Sequence, residues 1–141
     1  MSNQRQPGLA DEPLARTELI FYSTTHDARY PELLRNFAHY PFETGAAICS
    51  WDTIPLGSHA ENVIGSARFR NLLFCAATRQ EDMHLAGKLE VSGEAVYPMM
   101  VVPLTDAEFD LLAAKGINAL LDRISASSVS IIYDASRESV V

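Results

Sequence analysis

Eleven consecutive residues, Ala95–Thr105, carry no charge and are nearly all apolar (Ala-Val-Tyr-Pro-Met-Met-Val-Val-Pro-Leu-Thr). The run is too short to span a bilayer and contains two prolines, so it is not a membrane helix. A sheet with one wet face shows alternation, whereas a continuously apolar strand must be covered on both faces. The run therefore requires a central strand with cover above and below. Pro98 conflicts with that placement, because a strand proline needs a bulge or a position where no N–H is required. The run ends on a helix start. Thr105 followed three residues later by Glu108 is a capping box, with Leu104 and Phe109 at the positions of a hydrophobic staple. This predicts a helix from Asp106 to about Lys115, stopped by Gly116. A second helix follows, with Ile117, Leu120, Leu121 and Ile124 on one stripe. The alternation of Val129, Ile131 and Tyr133 then predicts a last strand.

The rest of the chain supplies the cover. Residues 1–16 mix polar residues, proline and scattered charge and read as a flexible leader, leaving 17–141 as a single domain. Thr17–Thr24 is rich in β-formers and predicts a strand. Tyr30, Leu33, Leu34, Phe37 and Ala38 fall on one helical face, predicting a helix over Ala28–His39 that Pro41 ends. Ala46–Ser50 and Thr53–Leu56 read as short strands separated by Trp51-Asp52. His59–Arg70 reads mostly as loop, Leu72–Ala76 as a buried strand and Thr78–Glu81 as a turn. Lys88–Val91 and Glu94–Pro103 read as a hairpin joined at Ser92-Gly93.

The chain's 141 residues include eleven basic and eighteen acidic ones, giving a net charge of −7. An acidic chain repels phosphate backbones and anionic lipid, so no nucleic-acid and no membrane partner is expected. Encounter with a basic protein partner is favoured instead. The two cysteines, Cys49 and Cys75, sit among apolar neighbours and read as reduced thiols, placing the protein in the cytoplasm. The four histidines show no ligand spacing, so no metal is expected, and no cofactor either, since no phosphate loop or dinucleotide fingerprint is present. No nucleophile elbow occurs, and no catalytic residue is assigned.

Two residues carry functional readings beside plainer ones. Trp51 is the only tryptophan. It reads equally as a binding anchor or as a core residue. Asp52, beside it, either caps a turn or works as an acid with a nearby histidine. Arg137, three residues after Asp134, reads as part of a surface turn. From periodicity and composition alone the chain is an α+β domain without visible catalytic machinery.

The order of the segments resembles the suppressor-of-fused domain family. Tyr30–Leu34 with Phe37–Tyr40 is similar to the family's first helix. Trp51-Asp52-Thr53-Ile54-Pro55-Leu56 is similar to its Gly-[Asp/His]-x-[Ile/Val] lead into a strand. Asn71–Ala76 resembles its apolar "LL" strand. Val101–Glu108 resembles the "VPIT-x-x-E" of bacterial members, Gly116–Leu121 their "G-x-x-A-L-L", and Asp134–Val141 the closing "D-x-x-R-x-S". The resemblance spans residues 17–141. It implies a mixed, largely antiparallel β-sheet with helices packed on it, and a protein-binding role. The animal member grips a short extended peptide of a zinc-finger transcription factor. Many bacterial members resemble immunity proteins that neutralise a toxin. The acidic residues that follow the "LL" strand in the animal member are replaced here by Ala76, Ala77 and Thr78, so the animal partner is not expected. The resulting expectation is a partner surface at Trp51, Asp52, Asn71 and Arg137, facing a protein such as a basic toxin. A small hydrolase-like enzyme using Asp52 and a histidine, and a self-associating module, are the alternatives. The sequence leaves the oligomeric state undefined.

Overall fold

The apolar run forms the longest strand of the fold. In this computed structural model, residues 16–77, 80–85 and 87–141 are described. In chain order the elements are β1 (Thr17–Ile20), α1 (Arg29–Thr44), β2 (Thr53–Pro55), a 3-10 turn (Gly57–His59), α2 (Ala60–Ile64), β3 (Asn71–Ala76), α3 (Gln80–Met83), β4 (Glu90–Val91), β5 (Glu94–Ala95), β6 (Tyr97–Leu104), α4 (Asp106–Lys115) and α5 (Ile117–Ala126). The main sheet has the order β1-β6-β3-β2. β1 runs parallel to β6, while β6–β3 and β3–β2 are antiparallel. The sheet is thus mixed and largely antiparallel.

β6 is covered on both faces. Met99 and Val101 join Leu72 and Phe74 of β3 in one cluster, against which Tyr30, Leu34, Phe37 and Tyr40 of α1 pack. Met100, Val102 and Leu104 join Leu73 and Cys75 in a second cluster, closed by Leu111 and Leu112 of α4 and Ile117, Leu120 and Ile124 of α5. Adjacent residues enter opposite clusters because strand side chains alternate.

Both prolines of β6 sit where a donor is dispensable, and neither requires a bulge. Pro98 lies opposite Ala77, one residue past the end of β3, and still accepts the Ala77 N–H at 3.4 Å. Pro103 turns its missing N–H to the side that β1 has already left at Ile20. Its carbonyl there accepts from Arg137 Nη2 at 3.1 Å.

The capping box forms as its spacing predicts. Thr105 Oγ1 accepts the Glu108 N–H at 3.3 Å and Glu108 Oε2 accepts the Thr105 N–H at 2.9 Å. Gly116 ends α4 with φ +81° and its N–H on the Leu112 carbonyl.

Several expectations are corrected. α1 does not stop before Pro41 but carries it inside and ends at Gly45, whose φ of +73° and bond to the Pro41 carbonyl close the last turn. Pro41 is buried and Phe37 and Tyr40 pack on the core. That burial offsets an interior-proline cost of about 3 kcal/mol. The stretch 59–70 contains α2, whose Ala60 and Ile64 are fully buried; five residues are too few to show a period. Ala46–Ser50 is not a strand. The hairpin is only β4–β5, because β6 detaches to pair with β1 and β3. The final alternation yields one bridge, Ser23 to Tyr133, and no strand. The Ser127 and Ser130 hydroxyls accept the N–H groups of Val129 and Ile132 and fold that stretch into local turns. The turn expected at Thr78–Glu81 lies partly outside the described residues, and α3 occupies its second half.

Replacing Thr105 by Ala should lower stability by about 1 kcal/mol in urea unfolding, with an unchanged denaturant slope.

Candidate functional site

At the far end of β2 the chain makes a bulge. The Trp51 N–H donates to the Phe74 carbonyl at 2.6 Å and the Phe74 N–H donates to the Asp52 carbonyl at 2.9 Å. Two residues of one strand therefore oppose one of the other, with the first in the left-handed region, Trp51 φ +76°. That is a G1-type bulge, whose first position ordinarily holds glycine. The preceding turn is closed twice, by the Asp52 N–H on the Cys49 carbonyl at 3.2 Å and by Asp52 Oδ2 accepting the Cys49 N–H at 2.7 Å. The Ser50 hydroxyl accepts the Ala76 N–H at 3.2 Å. These side-chain bonds explain why the stretch before Trp51 is not a strand.

Trp51 is 42% exposed and belongs to neither apolar cluster. Asp52 is also exposed. The structure thus exposes Trp51 and Asp52, consecutive residues on a backbone fixed by four hydrogen bonds.

Asn71 and Arg137 lie elsewhere, at the opposite end of β3, and both converge on the first turn of α4. Asn71 is 6% exposed and its Nδ2 donates to Asp106 Oδ1 at 3.0 Å. Arg70 Nη1 pairs with the other oxygen of Asp106 at 3.0 Å. The Arg137 guanidinium holds the fully buried Glu108 through Nη1–Oε1 at 2.6 Å and Nη2–Oε2 at 2.9 Å. It also lies 4.6 Å over the Phe69 ring. Glu108 further accepts the Val140 N–H at 3.1 Å. Thr105 Oγ1 and Ser139 Oγ are 2.9 Å apart. The closing D-x-x-R-x-S stretch is thereby buttoned to the capping box. This commitment has no local signal, since its partners are about thirty residues apart in sequence.

Burial pushes the Glu108 carboxyl up, but the Arg137 bond and the backbone N–H groups of Thr105 and Val140 outweigh it and hold the carboxyl below the usual range. Burial raises the Cys75 thiol to about 11, which makes it a poor nucleophile. Tyr133 is pushed up to about 12, first by burial and then by neighbouring Tyr30, and its hydroxyl donates to the Ile64 carbonyl at 3.0 Å. No histidine hydrogen-bonds Asp52 among the described residues. Among those residues no group of three or more His, Cys, Asp or Glu is placed to hold a metal ion, and no helix is long and apolar enough to cross a membrane.

The sequence profile of the family described as Suppressor of fused protein (SUFU) matches residues 1–138. The chain belongs to the suppressor-of-fused family. Its fold is similar to a SUFU homolog from Neisseria gonorrhoeae FA 1090, at 17% identity and TM-score 0.66, over 89% of this chain and 63% of that one. Drosophila Suppressor of Fused matches at 18% identity and TM-score 0.60, over 82% and 26%. A chain of the Sufu–Fu complex matches at 20% identity and TM-score 0.54, over 74% and 40%. At these identities the likeness establishes the fold, and this suppressor-of-fused chain spans less than two thirds of each of the three. No curated protein matches it.

The Arg137–Glu108 pair should contribute to the acid limit of stability. Glu108 has a lowered folded pKa, so its contribution is fully present above the unfolded value of about 4.3 and is lost as pH falls through the folded value. Arg137→Met leaves a buried charge unpaired and should cost about 3–5 kcal/mol at pH 7. The double variant Arg137→Met with Glu108→Gln should recover part of that loss and flatten the acid limb in thermal melts followed from pH 7 to pH 3.

Proposed function

We propose that this suppressor-of-fused domain is a protein-binding domain whose contact residues are Trp51 and Asp52. One observation carries the reading: an exposed tryptophan in a glycine-type backbone conformation. A bulky residue at positive φ is a rare placement that costs roughly 1–3 kcal/mol. The indole is not part of either apolar cluster. An exposed aromatic on a rigid backbone is the kind of residue that anchors an interface.

The family supports the same direction, since a related chain is part of a Sufu–Fu complex. Within this reading Asn71 and Arg137 act on the partner surface indirectly. They fix the α4 end of β3, the strand on which the bulge is built. The net charge of −7 and the open Asp52 carboxylate select a basic partner. Neutralisation of a basic toxin in the cytoplasm, the role of an immunity protein, is the specific form we infer.

Trp51→Gly separates function from folding. Glycine relieves the backbone, so stability should hold or rise by up to about 1 kcal/mol, whereas affinity for the partner should fall at least tenfold. Asp52→Asn keeps the acceptor for the Cys49 N–H but removes the charge. Its melting temperature should match wild type while binding of a basic protein weakens several-fold and loses salt sensitivity. The checks are thermal melts and titration of the protein retained by the immobilised chain. A Trp51→Gly chain that unfolds earlier than wild type and still binds would sink the reading.

A further inference from the structure

β2 is an edge strand, and an edge strand can hold a partner by backbone pairing or through side chains. Its inward groups are accounted for. The Phe74 N–H reaches the Asp52 carbonyl, and Leu56 and Gly57 both donate to the Arg70 carbonyl, so Ile54 faces Leu72 between them. By alternation Thr53 and Pro55 turn their backbone groups outward. Pro55 has no N–H, which leaves that edge the Thr53 donor and two carbonyls. Upstream, the bulge turns Trp51 N–H and the Asp52 carbonyl inward to Phe74, and the Asp52 N–H is held by Cys49. Downstream the chain enters the 3-10 turn at Gly57. No ladder of useful length can be added to this edge, and a proline at that position is a common guard against such pairing.

What the edge withholds in backbone it offers in side chain. The Trp51 N–H bond to Phe74 and the doubly closed Cys49–Asp52 turn fix the backbone under the indole before any partner arrives, which lowers the ordering cost of binding. Asp52 commits one carboxylate oxygen to the turn, and the residue is exposed.

We infer that Trp51 inserts into an apolar pocket on a folded partner, with a Lys or Arg on the rim of that pocket meeting Asp52, and that the partner does not add a strand to β2. This rests on the partner-binding reading above and specifies its mode. The occupant follows from charge complementarity: an acidic chain that exposes Trp51 and Asp52 on one hydrogen-bonded turn fits a basic protein with a pocket, not an extended peptide seeking backbone partners.

Trp51 is the sole tryptophan, so its emission reports on the bulge alone. Proteins retained by the immobilised wild-type chain from lysate of the cell that encodes it are identified, purified and titrated against wild type, Trp51→Ala, Trp51→Phe, Pro55→Ala and Pro55→Ser. Insertion predicts a blue shift of Trp51 emission at saturation. It also predicts a loss of at least tenfold with Trp51→Ala, a smaller loss with Trp51→Phe, and affinity within twofold for both Pro55 variants. Amide exchange supplies a second measure, with Thr53 N–H no better protected in the complex. Tighter binding by a Pro55 variant, or protection of Thr53, would show strand addition and overturn the inference. A partner bound equally well by Trp51→Ala overturns insertion and leaves partner binding standing. A wild-type chain that retains no protein in stoichiometric amount overturns both.

Discussion

β6 has no solvent face. Met99 and Val101 enter the cluster under α1, and Met100, Val102 and Leu104 enter the cluster under α4 and α5. Each neighbouring element is placed by the need to cover it. α1 must lie on one side of the sheet and the α4–α5 pair on the other. β1 and β3 must flank it, since an unpaired backbone in so dry a setting would cost about as much as each hydrogen bond it lacks. The strand also tolerates two prolines for a topological reason. Its partners are shorter than it is, and the missing donors fall where β3 and β1 have ended.

The shortfall of β1 has a second consequence. Beyond Ile20 the upper part of β6 has no strand on that side among the described residues, and residues near Arg137 reach it through side chains. Arg137 reaches the Pro103 carbonyl, the Glu108 carboxylate and the Phe69 ring. One guanidinium therefore ties together the central strand, the cap of α4 and the loop before β3. A buried pair of this kind adds little over an apolar replacement but is costly to break on one side. The connection acts as a constraint on the position of the tail more than as a source of stability.

How much was legible in the sequence follows from the range of each interaction. The capping box needs only residues three apart, and Thr105–Glu108 shows it in the chain itself. The coverage of β6 was legible because eleven uncharged residues admit few other fates. Interactions that close over longer distances were hidden. Pro41 ends a helix by local rules, yet the packing of Phe37 and Tyr40 carries α1 through it. Val129, Ile131 and Tyr133 alternate like a strand, but intervening serines bond their own backbone. Asn71 and Arg137 were candidates for a partner surface, and only the fold brings Asp106 and Glu108 to them. Trp51 and Asp52 were legible as residues to watch, while the backbone conformation that makes them unusual was not, because tryptophan is a poor guess for a left-handed position.

The motif that Trp51-Asp52-Thr53-Ile54 resembles opens on glycine, the residue a G1-type bulge favours. With glycine the bulge is a device for ending a strand, and nothing projects from it. Here tryptophan occupies that position, with its N–H on the Phe74 carbonyl and its side chain partly exposed. The bonds around the bulge are what hold tryptophan in this conformation. They hold the left-handed conformation from both sides, and β3 ties them to the covered core. A core covered on both faces thus supports, through β3, a left-handed edge residue whose side chain is partly exposed.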